Sequence, residues 1–346
     1  MGVGFGPSTA AVTRNRGALI WLGVAVTVGF GYLAVRDVDF DIARDALRDI
    51  DAWWLVPALG TFAIGIGLRS ERWRALFPRE TRPPWRPTLA AVLIGYFFNS
   101  VLPARAGEVA RIVALHRSTR TSRVQSAASV VLERALDLVL LLLLFLASYA
   151  WLPDVSWFPE AIVVAAVMTA GMLLAAVVLV VFGTRPLHAA VRPVARVSRV
   201  SAERVDEAIE NIGRGLAGLH RWRIAIAGAA LTAASWIVIA ASNWFVLRSF
   251  GLDLSPLAGL IVAVSTALGM ALPAAPASIG VFEAATVLAL AAYGVDESVA
   301  LPYGVVLHLV NFIPFLVAGP IALRTVGREA RVARDDRAAR PPAAGG

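Results

Sequence analysis

Ionisable side chains are rare in the apolar stretches of this chain, and most of them fall in two neighbouring places. Asn99, Arg105, Glu108 and Arg111 flank a Pro103/Gly107 break, and Glu133, Arg134 and Asp137 lie in the next apolar run. A charge placed at the centre of a membrane costs about 2.5–3.5 kcal/mol on insertion scales, so such residues mark function or pair with one another. On helices, Glu108 and Arg111 stand three apart and Glu133 and Asp137 four apart, so each pair shares a face. Counted as Arg105, Arg111 and Arg134 against Glu108, Glu133 and Asp137, the group is neutral, as burial requires. Two roles fit it. An arginine at a broken-helix tip, beside backbone N–H groups freed by Pro103 and Gly107, is a receptor for a lipid phosphate. Alternatively, the ions pin the broken element to the adjacent helix, the role that best suits Glu133, Arg134 and Asp137.

A second break has the opposite character. Pro273, Pro276 and Gly280 interrupt an apolar stretch, small residues surround them, and Glu283 is the ionisable group that follows. Glu283 could hold a proton or cation, receive an amine, or cap N–H groups of the broken helix. Asn243, His308 and Asn311 add polar points farther on, with His308 suited to an interhelical hydrogen bond. Trp73, between Arg72 and Arg74, reads as an interfacial anchor.

The elements that carry these residues are membrane helices. The 346 residues are 58% hydrophobic and 16% charged, with a mean hydropathy of +0.71, too apolar for a water-soluble domain of this size. All 32 basic residues are arginine, and there is no cysteine. Six stretches are long enough to span about 30 Å of hydrocarbon: roughly 17–35, 53–68 with a polar extension, 124–151, 160–182, 222–247 and 299–323. The pairs 88–102 with 106–117 and 257–272 with 280–293 are too short to cross singly, so each reads as a re-entrant hairpin.

Arginine placement orients them. Of the 32, 27 fall in 1–16, 69–87, 104–123, 183–223 and 324–346, and only 4 in 36–52, 152–159, 248–254 and 294–298, where aspartates gather. The positive-inside rule makes the first set, both termini included, cytoplasmic. The first hairpin then opens inward and the second outward. Residues 17–151 and 160–323 thus form two half-repeats of inverted topology within one transmembrane domain, 1–323, an architecture common among secondary transporters.

Three further segments complete the reading. Arg14 and Arg16 precede an apolar run too long for a signal-peptide core, so it is an uncleaved first span. Between about 190 and 220, Val194, Val197, Val205, Ile209, Ile212, Leu216 and Leu219 recur at helical spacing among arginines, which predicts a basic amphipathic helix at the inner leaflet or beneath the bundle. Residues 324–346 read as a disordered cytoplasmic tail.

Enzyme signatures are lacking. The four histidines, His116, His188, His220 and His308, have no metal-ligand spacing, and no Walker loop, zinc helix or nucleophile elbow occurs. The expectation is a protein that is not an enzyme, with no metal site and no cofactor. Its partners are membrane phospholipids or lipid-linked headgroups rather than nucleic acid.

The string from Asn99 to Glu108, with Leu102-Pro103 and then Arg105, Gly107 and Arg111, resembles the N-x-x-L-P-x-R-x-G-[DE]-x-x-R signature of the lysylphosphatidylglycerol synthase transmembrane-region family, also called flippase-like. Val131, Glu133, Arg134 and Asp137 resemble its V-x-E-R-x-x-D element. Pro273, Pro276, Gly280 and Glu283 resemble its P-x-x-P-G-G-x-G-x-x-E element, with Ala277 and Ser278 where two glycines are usual. The resemblance runs from the Arg69, Arg72, Trp73 and Arg74 stretch to the last span. It implies translocation of a lipid with an anionic, aminoacylated or glycosylated head between leaflets of the plasma membrane, in service of the cell envelope. The aminoacyl-transfer domain of bifunctional relatives is not in this sequence, so no synthase activity is expected. Asn99, Arg105, Glu108, Arg111 and Glu283 are then the substrate-binding candidates. The competing reading is a non-transporting subunit that presents a lipid carrier to a glycosyltransferase or synthase.

Overall fold

A computed structural model describes residues 25–102, 105–148, 222–270 and 276–338, with a few isolated helical positions between 163 and 174. Among them the regular structure is helical: α1 (Ala25–Val35), α2 (Phe40–Arg48), α3 (Leu55–Ala75), α4 (Trp85–Val101), α5 (Gly107–Thr119), α6 (Arg123–Ser148), α7 (Trp222–Ser249), α8 (Pro256–Gly269), α9 (Val281–Ala291) and α10 (Glu297–Ala338). Pro103 and Pro273, the 160–182 span and the 190–220 amphipathic helix lie outside the described residues.

Three stretches, Ala52–Ala75, Ile224–Ser249 and Glu297–Arg328, are long and apolar enough to cross a membrane. The 26 residues of α6 rise about 39 Å at 1.5 Å per residue, but its charged group makes it less apolar. The four helices flanking the breaks have 17, 13, 14 and 11 residues. Within each pair the two helices pack on each other, α4 on α5 and α8 on α9. In chain order, both α3–α6 and α7–α10 read long helix, two short helices around a break, long helix.

Local chemistry sets the ends. Asp39 caps α2 by accepting from the N–H groups of Asp41 (2.9 Å) and Ile42 (3.3 Å). Ahead of α10, Ser298 holds the exposed Asp296 carboxyl below its ordinary value through hydrogen bonds from its hydroxyl and its N–H. Pro84 and Ser255, in extended conformation, set α4 and α8 off from the preceding loops. The last helix does not stop at Arg324 but continues to Ala338, which corrects the expectation of a disordered tail for that stretch. Its final residues are rich in alanine and arginine, which favour helix without any apolar stripe.

The long helices α3 and α7 pair closely: the Ser242 hydroxyl donates to the Ala58 carbonyl at 2.7 Å, and Ile239 lies against Gly65. Around them the apolar core falls into neighbouring clusters. Ala300, Tyr303, Leu307 and Val310 in the N-terminal half of α10 pack with Ile261 and Val262 of α8 and Phe282 and Leu290 of α9. Phe315, Ala322 and Val326 in its C-terminal half pack with Val92 and Ile94 of α4 and Leu115 of α5. The two broken elements therefore sit against opposite ends of one helix.

Candidate functional site

The first break is held by a close backbone approach. A Cβ on Gly107 would lie 1.9 Å from the Gly95 carbonyl oxygen, so only glycine lets α4 and α5 meet there. The Asn99 side-chain oxygen accepts from the Gly107 N–H at 2.9 Å, satisfying one of the donors that an α-helix N-terminus leaves free. Asn99 thereby works on the break itself.

Beyond it lies a network of ions contributed by α3, α5 and α6. Arg111 reaches both Glu133 oxygens, at 3.1 and 3.2 Å, and Glu108 at 2.6 Å. Arg134 pairs with Glu108 at 2.8 Å and stands 3.7 Å from both Glu133 and Asp137. The spacings read from the sequence thus converge as expected, apart from one partner. At the centre is Arg72, fully buried, which forks onto Asp137 and also reaches Glu133 at 2.9 Å. The fork matches a carboxylate in a way that an ammonium could not. Trp236 completes Asp137 with an indole hydrogen bond at 3.0 Å.

Arg72 thus fills the balancing place given to Arg105, because it descends from α3 into the gap beside α6. Its neighbour Trp73 is also not an interfacial anchor: it is fully buried, donates to Ser129 at 2.9 Å and stacks under the Arg111 guanidinium at 4.9 Å. Among the described residues, the exposed tryptophans are Trp53, at 83%, and Trp85, at 43%.

Arg105 makes no ion pair with these carboxylates, although Arg134 and Glu108 lie within electrostatic reach of it. It is exposed, its backbone is left-handed at φ 53°, and its guanidinium donates to the Met270 carbonyl at the end of α8 at 2.8 Å. The tip of the first break so touches the start of the second. The turn Pro276–Ser278 also packs against α4. Arg69, within electrostatic reach of Asp137, donates to the Tyr96 hydroxyl at 3.0 Å and lies 4.4 Å over the Trp236 ring. Accessibility rises outward through the network, from 0% for the Arg72 side chain to 20% for Glu108 and 38% for Arg134.

At the second break, Ala277 and Ser278 both adopt left-handed backbone, φ 60° and 58°, and Gly280 follows at φ 82°. A Cβ on Gly280 would lie 2.7 Å from the Thr27 carbonyl oxygen of α1. One Glu283 oxygen accepts from the Gly280 N–H at 2.7 Å, and the other meets His308 Nδ1 at 2.5 Å. Glu283 is therefore a cap and an interhelical partner together, and His308 makes the interhelical bond its position suggested. Among the described residues no group of three or more His, Asp and Glu side chains is arranged to hold a metal ion.

The family model for the lysylphosphatidylglycerol synthase TM region matches residues 20–319. The chain belongs to this family. A UPF0104 membrane protein of Methanocaldococcus jannaschii is 24% identical over 233 residues, which make up 67% of this chain and 95% of that relative. No solved structure matches. The ordered motifs that carried the resemblance to the lysylphosphatidylglycerol synthase transmembrane-region family enclose both breaks and the ionic network, and the helices apolar enough to span agree with a membrane location.

Proposed function

We propose that this chain carries a phosphate-bearing lipid between the leaflets of the plasma membrane and makes no lipid itself. The headgroup passes along the accessible edge formed by Arg105, Arg134 and Glu108, and the acyl chains stay in the bilayer. The observation that carries this reading is a charge excess. Arg69, Arg72, Arg111 and Arg134 are set against Glu108, Glu133 and Asp137, and Arg105 adds another cation at the rim. Cations in a low-dielectric setting call for an anion, and a lipid phosphate supplies one. Arg111, with both terminal nitrogens on carboxylates, presents Glu108 to the headgroup, where that carboxylate can receive hydroxyl or amine donors. Asn99 and Glu283, occupied with helix ends, shape the path.

Two half-repeats of opposite orientation, with both termini cytoplasmic, give the headgroup one hairpin opening to each side. The packing of the hairpins against opposite halves of α10 supports that arrangement. A vesicle assay tests the function. Phosphatidylglycerol labelled with a nitrobenzoxadiazole fluorophore equilibrates between leaflets when purified protein is present, read by dithionite quenching, and Arg105→Ala slows it about tenfold, as loss of one charge-assisted hydrogen bond predicts. Unchanged transbilayer rates for every anionic lipid tried, in wild type and variant alike, overturn the reading. A glycosyltransferase or synthase that co-purifies while lipids stay put moves it to carrier presentation.

A further inference from the structure

Every buried carboxylate of the first hairpin's network is clamped by arginine, yet Glu283 has a different kind of partner. Its side chain is 12% exposed, that of His308 10%, and the two meet at 2.5 Å. The imidazole packs between Phe282 and Phe312, with ring centroids 4.7 and 4.2 Å away. The elements around the pair bring little other charge. α8 has no ionisable side chain, α9 has only Glu283, and α10 between Ser298 and Leu323 has only Tyr303 besides His308. The Tyr303 hydroxyl is occupied by the Asn243 carbonyl at 3.0 Å. Tyr32 of α1 is exposed, Tyr96 of α4 is turned to Arg69 and stacks on Phe315 at 4.5 Å, and Arg105 is on the Met270 carbonyl.

A carboxylate with a neutral imidazole carries one negative charge and, enclosed among apolar side chains, has no cationic partner other than His308 among the described residues. One proton on imidazole Nε2, or shared across the Oε1–Nδ1 contact, makes the pair neutral overall. Enclosure therefore favours uptake of one proton, and contact with water favours its release. The geometry also ties this proton to the break, because the second Glu283 oxygen holds the Gly280 N–H where the backbone turns into α9. Three residues beyond His308 on the same helix, the buried side-chain oxygen of Asn311 has no hydrogen-bond partner among the described residues.

We propose that Glu283 and His308 form a proton-carrying pair that couples lipid translocation to a transmembrane proton gradient. The proposal rests on the translocation reading above. In each cycle the pair takes a proton from water on one side of the membrane, carries it as a neutral pair, and returns it to water on the other side. No other bond is made or broken.

Two measurements test it. An infrared difference titration of the protein in lipid nanodiscs shows a carboxyl–imidazole protonation step that is replaced by a single-group step in both variants, the imidazole alone in Glu283→Gln and the carboxyl alone in His308→Gln. A titration unaltered by both variants overturns the pair, whatever lipids do. In vesicles of phosphatidylcholine and phosphatidylglycerol carrying the fluorescent phosphatidylglycerol, a gradient of one pH unit sustains up to about a tenfold leaflet asymmetry for one proton per lipid, since one unit is 1.36 kcal/mol. His308→Gln still equilibrates the lipid but holds no asymmetry. Should the lipid equilibrate in wild type without responding to the gradient, translocation stands and coupling falls. Should no lipid move at all, both fall.

Discussion

The two hairpins solve the same problem, a helix interrupted inside an apolar environment, with different chemistry. The first uses a side chain from across the hairpin, Asn99, to satisfy the Gly107 N–H, and surrounds itself with arginine–carboxylate pairs drawn from α3, α5 and α6. The second uses Glu283 from its own first turn to hold the Gly280 N–H, and otherwise presents alanines, serine and aliphatic residues. One hairpin is fixed by many charge-assisted bonds that must be broken together. The other is fixed by one carboxylate and by backbone that two residues adopt at some cost. Ion pairs from three helices hold the first break, whereas the described contacts of the second are a carboxylate cap, the Arg105 bond to the Met270 carbonyl and packing on α4, so substitutions act on the two unequally.

Breaking the first hairpin's network gives the largest expected effect. Arg72→Ala leaves Glu133 and Asp137 without their central cation and lowers stability by about 3–5 kcal/mol, read as a fall in midpoint temperature in detergent. Arg72→Met with Asp137→Leu, which removes charge from both sides, costs less than Arg72→Ala alone. A double-mutant cycle on Arg72 and Asp137 measures that difference.

Closure of the breaks comes next. Gly107→Ala drives a methyl into the Gly95 carbonyl and costs about 1–3 kcal/mol, read by the same melting curves. Gly280→Ala meets both the Thr27 carbonyl and an unfavourable φ, and should fall in the same range. A much smaller cost at Gly280 than at Gly107 sharpens the contrast, since it shows the second break yielding where the first does not.

The smallest effect has the opposite sign. Ala277→Gly and Ser278→Gly each relieve a left-handed residue and raise stability by about 0.5–1 kcal/mol, the conformational penalty less the extra entropy of glycine. Melting of the single and double variants checks this. If neither gains stability, the strain that distinguishes the second break is absent.

Much of this arrangement is visible in the amino-acid order, because proline, glycine and segment length speak locally. The breaks around Gly107 and Gly280 and the short helices beside them follow from such signals, as does the Glu108–Arg111 pair at helical spacing. Arg72 does not, because its partner Asp137 is 65 residues away and an arginine at the end of an apolar run looks like an interfacial one. Two signals point inward nevertheless: apolar residues resume after the arginines, with Leu76 and Phe77 buried, and the middle of α6 places Glu133 and Asp137 beside Arg134 alone. Arg105 was misassigned to the neutral group for the converse reason. Sequence proximity to Glu108 says nothing about a left-handed backbone that turns the side chain toward Met270. The helical course of residues 324–338 was hidden because only amphipathic helices announce themselves by period.

One helix serves both hairpins, and its midpoint is chemically weak. Pro314 has no N–H to offer the Val310 carbonyl, and it sits between the residues that cradle the second hairpin and those that cradle the first. Pro302 and Pro320 each remove a further rung on either side of it, and under the proposed translocation a rod weakened between its two loads acts as a seesaw, its ends tilting in opposite senses.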